Sequence, residues 1–312
     1  MSNTPELFYR GARLDTRDEV FGPLRSSEDA REDSDELRRR MADDGYLYLP
    51  GLLDVDQVMV ARREVLDRLA RAGCLDPDAS LMDGVFNTAS TLPEDRMERL
   101  TKDNSPLQRL LYEGAMMELY RLFLGGPVRH FDFTWFRANV RDTVAAAAPH
   151  YDVVYMGRGT KNLFTSWTPL GDVPMKMGGL MILEHSHRLE KVKSSYGQID
   201  VDAYCENDEE EARAIESGEK LWADRASGGV YSEDAISTRS ELGGRWLSAD
   251  YKVGDVVVFG MYTMHSSMDN QTDHIRLSAD SRYQLASEAA DERWIGPNPA
   301  AHGPDAKKGM IC

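Results

Sequence analysis

His150 and Asp152 stand two residues apart in APHYDVVYMG, a stretch whose next residues, Val153 and Val154, are β-branched. On a β-strand, side chains i and i+2 leave from the same face. An imidazole and a carboxylate so placed can aim at one point. A second imidazole would complete a 2-His-1-carboxylate set, which leaves coordination positions open and suits Fe(II) oxygen chemistry. Alone the triplet is weak evidence, because a surface His and a solvated Asp share this spacing by chance. His265 is the candidate for the second imidazole. It follows Val256–Phe259, an apolar run that reads as a buried strand. Arg276 comes eleven positions later and opens another strand-like segment. Its planar guanidinium can clamp a carboxylate through two parallel hydrogen bonds.

The elements that must position these residues change character along the chain. Residues 1–27 are polar and read as an irregular arm. Residues 26–45 read as a helix capped by Ser34 or Ser26 and stopped by Gly45. Tyr46–Leu49 reads as a strand. Asp54 caps a second helix, about 55–72, with Val55, Val58, Val65, Leu66 and Leu69 on its apolar face. Residues 76–104 carry no strong pattern. Ser105-Pro106 opens a third helix expected to run through Leu124, with Gly125-Gly126 after it. From 128 onward short β-rich runs take over, at 130–140, 151–156, 162–170, 179–183, 251–262 and 274–285. Ala145–Ala148 reads as a mobile link. Helices first and strands later predict an α+β domain.

Residues 189–246 interrupt the β pattern. Asp200–Asp224 holds ten acids against two bases, and Glu209–Glu211 reads as a solvated helix face. An insert of this length in a compact domain is expected to be functional or disordered. We read residues 28–285 as one catalytic unit, 189–246 as its lid, and 286–312 as an irregular tail rich in Pro and Gly.

Composition narrows the function. A formal net charge of −16 over 312 residues disfavours nucleic acid and anionic membrane surfaces as partners. No run of about 18 apolar residues exists to cross a membrane, and the N-terminus lacks the apolar core of a secretory signal. Cys74, Cys205 and Cys312 are scattered and odd in number, which fits a reducing cytoplasm. A small-molecule substrate is the expectation. The sequence sets no oligomeric state.

Four ordered segments carry a family resemblance. They are DDGYLYLPGLLDVDQV (43–58), His150-x-Asp152, WTPLGDVPMKMGGLMILEHSHR (167–188) and HSSMDNQTDHIRLSADSRYQ (265–284). Together the chain resembles the phytanoyl-CoA dioxygenase family of Fe(II)/2-oxoglutarate-dependent oxygenases, over roughly residues 35–190 and 247–285. One departure is Glu184-His185, where the family has Pro-Gly. The resemblance implies a double-stranded β-helix, or jelly roll, buttressed by the helices. It also implies Fe(II) on His150, Asp152 and His265, with 2-oxoglutarate and O2 as co-substrates. Arg276 and Ser267 would hold the far carboxylate of 2-oxoglutarate. Thr165 and Trp167 would flank it, although Trp167 reads equally as a core aromatic. Arg282 and Tyr283 match the family's closing Arg-Tyr, with Arg282 read as a support behind the metal ligands or a buried ion pair, chiefly structural. The implied reaction is oxidation, chiefly hydroxylation, of a C–H bond in a small metabolite or natural-product intermediate. Radical halogenases of this superfamily lack the carboxylate that Asp152 supplies.

Rivals remain at this stage. His274 lies too near Arg276 to take the place of His265. His185 and His187 form an H-x-H pair, read as a turn at the pocket rim. Phe136, Arg137, Asn139 and Arg141 precede the metal motif, and an arginine among them can meet an anionic substrate group. No Gly-rich phosphate-binding motif occurs, so Gly178-Gly179 and Gly157-Arg158-Gly159 read as turns. The alternatives to an oxygenase are a metal cupin that does not use 2-oxoglutarate and a catalytically silent cupin-like binding protein.

Overall fold

A computed structural model describes residues 6–141, 146–205, 210, 213, 217 and 227–310. Two sheets face each other. The larger runs in the order β2 (Tyr46–Leu49), β8 (Val256–Gly260), β5 (Phe164–Pro169), β10 (Arg276–Leu285), β3 (Val128–His130), and β4 (Trp135–Asn139) also pairs with β10. The smaller runs β9 (His265–Ser267), β6 (Leu180–Leu183), β7 (Trp246–Ser248), β1 (Phe21–Pro23). Within these two sheets all pairings are antiparallel except that of β1 with β7. This is a jelly roll with helices against its larger sheet, the α+β architecture that the sequence pattern and the resemblance predict.

Strand alternation separates two cores. Outward residues of the larger sheet meet the helices α1 (Ser34–Asp44), α2 (Val55–Arg71), α3 (Arg96–Thr101), α4 (Ser105–Tyr112) and α5 (Gly114–Leu124). On β10, Tyr283 stacks on Tyr120 of α5 at 4.1 Å between ring centroids. On β5, the Ser166 hydroxyl lies 2.8 Å from the Tyr120 hydroxyl. The next residues in each strand face inward. Trp167, Val257 and Phe259 meet Leu180, Ile182 and Leu247 of the opposite sheet to form the inner core. By the same parity Arg276, Asp280 and Arg282 point inward from β10.

Several local expectations are corrected. The first helix begins at Ser34 and is capped by Asp33, whose carboxylate accepts from the Asp35 and Glu36 N–H groups, so neither Ser26 nor Ser34 is the cap. Gly45 does end it, in the left-handed region at φ 79°. The predicted helix 105–124 breaks at Glu113, whose backbone is extended, and Gly114 at φ 50° absorbs the turn into α5. Residues 76–104 are not patternless, since α3 lies within them. The N-terminal arm contributes β1 to the smaller sheet and buries Leu7, Tyr9 and Phe21. Ala146–Ala148 is packed rather than loose: Ala147 exchanges hydrogen bonds with the Ser266 and Ser267 hydroxyls. Ala145 lies outside the described residues, as do the acidic run around Glu209–Glu211, apart from Glu210, and Cys312.

Candidate metal centre and active site

The expected strand over 151–156 is replaced by a short helix, Val153–Met156. His150 and Asp152 therefore do not share a strand face. His150 instead forms a β-bridge with His265, each donating its N–H to the other's carbonyl at 3.1 and 3.2 Å. The chain then turns, and the Asp152 carbonyl accepts the first bonds of the helix. Burial of Val153, Val154 and Met156 in the apolar cluster on this side outweighs the β preference of the two valines.

The three side chains nonetheless converge. One donor atom from each of His150, Asp152 and His265 lies within 4.8 Å of the others. Both imidazole Nε2 atoms stand 3.7 Å from Asp152 Oδ1. Each Nδ1–H donates to a carbonyl: His150 to Ala148 at 2.7 Å, His265 to Thr263 at 3.0 Å. Those bonds fix the tautomer and leave Nε2 free as a ligand. The other carboxylate oxygen, Asp152 Oδ2, accepts from the Thr165 hydroxyl and, at 3.1 Å, from Arg282 Nη2. Burial opposes ionisation of Asp152, but Arg282 and the Thr165 hydroxyl help outweigh it and hold its pKa below the usual carboxylate range. Two neutral nitrogens and one ionised oxygen are the donor set of a facial Fe(II) site.

Burial lowers the pKa of His150 to about 3, helped by the neighbouring His265, and lowers that of His265 as well. A histidine in the unfolded chain titrates near 6.5. Between those values the unfolded chain binds more protons, so stability falls as pH drops. The metal-free protein is expected to melt at progressively lower temperature from about pH 6.5 down to about pH 5, above the range where most carboxylates titrate. A flat melting temperature over that interval, measured by circular dichroism, contradicts buried neutral imidazoles.

Arg276 is 3% exposed, and its Nε has no hydrogen-bond partner among the described residues. Desolvation pulls its pKa down to about 10, against the pull of Asp280, so it stays charged at neutral pH. A buried guanidinium nitrogen left unpaired is costly, and a ligand carboxylate removes that cost. Ser267 Oγ accepts from the Ala147 N–H at 2.9 Å, which leaves its own hydrogen available. Trp167 packs at 4.6 Å against Tyr251, a neighbour near enough to influence Arg276. The rivals fall elsewhere. His274 Nδ1 meets the Asp83 carbonyl at 2.8 Å, and His187 Nε2 meets that of Ala42 at 3.0 Å.

A cavity of about 650 Å³ opens beside the triad, lined by Phe133, Trp135, Arg137, Tyr155, Met156 and Trp294 among others. Of the four residues flagged before the metal motif, Arg137 reaches it. Phe136 faces the helices, the Asn139 carbonyl accepts from Asn270, and Arg141 is bonded to Gln271 and Asp273. Arg282 forms a buried ion pair with Asp152 and packs 4.0 Å above the Trp135 ring. The tail is the least expected contributor. Trp294 is fully buried, and His302 lines the cavity. Arg293, 2% exposed, ties this wall to Asp291 and Asp202. Arg293→Ala removes the guanidinium counter-charge of two buried carboxylates, leaving Asp202 only His302 and Asp291 only backbone N–H donors, and is expected to cost about 3–5 kcal/mol, read by denaturant unfolding. A cost under about 1 kcal/mol contradicts the network.

Fold and site define a class, the jelly-roll oxygenases that use Fe(II) and 2-oxoglutarate. The sequence model of the phytanoyl-CoA dioxygenase (PhyH) family matches residues 41–278, and the chain belongs to that family. It is 25% identical over 289 residues to a 1-deoxypentalenic acid 11-beta-hydroxylase of Streptomyces exfoliatus, covering 90% of this chain and 91% of that protein. Its fold is similar to that of the carbocyclase SnoK from nogalamycin biosynthesis, with TM-score 0.56, 15% identity, and 86% and 89% of the two chains covered. It is also similar to EctD from S. alaskensis, with TM-score 0.55, 16% identity, and 100% and 96% covered. The chain is an Fe(II)- and 2-oxoglutarate-dependent dioxygenase, and its similarity to hydroxylases favours hydroxylation over halogenation. Among the described residues no helix is long and apolar enough to cross a membrane.

Proposed function

We propose that His150, Asp152 and His265 hold Fe(II), and that Arg276 and Ser267 anchor the far carboxylate of 2-oxoglutarate. The observation that carries this reading is the convergence of three donors, each already braced from behind, beside a buried guanidinium with an unpaired nitrogen. With O2, the loaded centre supplies the oxidising power that turns 2-oxoglutarate into succinate and CO2 and oxidises a substrate C–H bond. The residues of this chain do the positioning. Ala148 and Thr263 fix the imidazoles, Thr165 and Arg282 hold the carboxylate, and Trp167 supports the inner wall through Tyr251. Aromatic side chains exclude water from the reacting carbon.

The substrate is a small organic molecule that fits between Phe133, Trp135, Met156 and Trp294. The compound in the name of the Streptomyces relative, 1-deoxypentalenic acid, supports an intermediate of secondary metabolism. Residues 28–285 act as one catalytic unit, and the insert 189–246 serves as its lid. Val230 on the cavity wall and the Tyr231 N–H donating to the Pro149 carbonyl at 2.8 Å support that role. Scattered cysteines, with Cys74 buried and free, support a cytoplasmic setting.

The test is conversion of 2-oxoglutarate to succinate by the purified chain with Fe(II), ascorbate and O2, followed by mass spectrometry. Succinate is expected with iron and is absent when zinc replaces it. No succinate with iron, together with no binding of 2-oxoglutarate, overturns the reading.

A further inference from the structure

Among the described residues, Arg137 is the arginine on the cavity wall beside the triad whose side chain stays largely exposed and makes only a long ion pair. It lies on β4 with the inward parity of Trp135, opposite Ser278 of β10. Its side chain is 46% exposed, and its nearest acid, Asp280, stands 3.6 Å from Nε, beyond a good hydrogen bond. Arg282 by contrast is 4% exposed and bonded to Asp152 at 3.1 Å. Arg276 is buried deeper, with Asp280 as its main counter-charge.

Charge balance sharpens the contrast. Three arginines (137, 276 and 282) face two carboxylates, Asp152 and Asp280, on the inner surface around the site. Fe(II) and the 2-oxoglutarate dianion cancel each other. The loaded site therefore keeps one positive charge, and the exposed cation is Arg137. The walls around it are Met97, Phe133, Trp135, Met156 and Trp294. Apolar walls lower the local dielectric and strengthen any pairing with an incoming anion.

Resting on the oxygenase reading above, we propose that the substrate is an apolar molecule bearing one carboxylate, and that Arg137 grips that carboxylate while the aromatic walls hold the hydrocarbon body. A bidentate guanidinium–carboxylate contact fixes orientation as well as position, so Arg137 selects which C–H bond faces the metal. A polyanionic thioester exceeds both the single surplus charge and the volume of about 650 Å³.

The experiment is anaerobic calorimetry on the full chain loaded with Fe(II) and 2-oxoglutarate. The probes are adamantane-1-carboxylate and the isosteric neutral adamantane-1-carboxamide. The carboxylate is expected to bind at least ~10-fold tighter than the amide. Arg137→Gln is expected to erase that preference, and Arg137→Lys to restore part of it. Equal affinities in the wild type, no binding of the carboxylate, or a preference retained in Arg137→Gln each overturn the proposal. The 2-oxoglutarate titration that precedes each run separates the two readings. Its failure in the wild type removes the oxygenase assignment, whereas its success with no carboxylate preference removes only the role of Arg137. If Arg137→Gln folds poorly, the wild-type pair of probes still decides.

Discussion

Asp152→Ala is expected to lose more than ~100-fold in Fe(II) affinity and all 2-oxoglutarate turnover. Outer-shell partners of metal ligands alone carry about 10–100-fold, and Asp152 is the only carboxylate in the triad. The substitution has a second consequence. Arg282, 4% exposed, loses its one ion pair among the described residues and stays among Trp135 and the barrel wall. An uncompensated buried charge of this kind costs about 3–5 kcal/mol. Lower stability and lost metal affinity should therefore appear together, by denaturant unfolding and by metal titration. Asp152→Ala with Arg282→Met is expected to recover stability but not turnover, which separates the two effects. Wild-type turnover by Asp152→Ala sinks the assignment of this residue as a ligand.

Arg276→Ala is expected to raise the dissociation constant of 2-oxoglutarate by about 100-fold while leaving the metal triad intact. Hydrogen bonds to a charged group contribute about 1.5–3 kcal/mol, and each 1.4 kcal/mol is about tenfold. The guanidinium is buried and its Nε is unpaired, so a ligand carboxylate meets a donor with no competing partner. Calorimetry with Mn(II) in place of Fe(II) reads the affinity without turnover. Arg276→Lys should recover only part of it, because an ammonium cannot match the bidentate fork. Unchanged affinity in Arg276→Ala would place the 2-oxoglutarate carboxylate elsewhere.

Much of the site was legible because it sits on strands with clear punctuation. Val256–Phe259 announced β8, His265 followed it, and Arg276 opened β10 at a spacing the barrel preserves. His150 and Asp152 do converge, but not as neighbours on one strand face. Their convergence comes from the bridge between His150 and His265 and a helical turn, which tertiary burial imposes on a β-branched sequence. Which acid Arg282 pairs with was illegible, because Asp152 lies 130 residues away in the chain. The cavity wall from Trp294 to His302 was illegible for a related reason. Pro and Gly dominate the local composition there, and nothing local marks that Trp294 is buried or that Arg293 is neutralised by Asp202. Arg137 was visible as one of four candidates. Strand parity, known only once β4 is placed against β10, set it apart from Phe136.

The most direct measurement is a crystal structure of the chain grown anaerobically with Fe(II) and 2-oxoglutarate, with iron located by its anomalous scattering. The account predicts one iron atom coordinated by His150 Nε2, His265 Nε2 and Asp152 Oδ1, with the far carboxylate of 2-oxoglutarate on Arg276. Iron at His185 and His187, or 2-oxoglutarate away from Arg276, would contradict it.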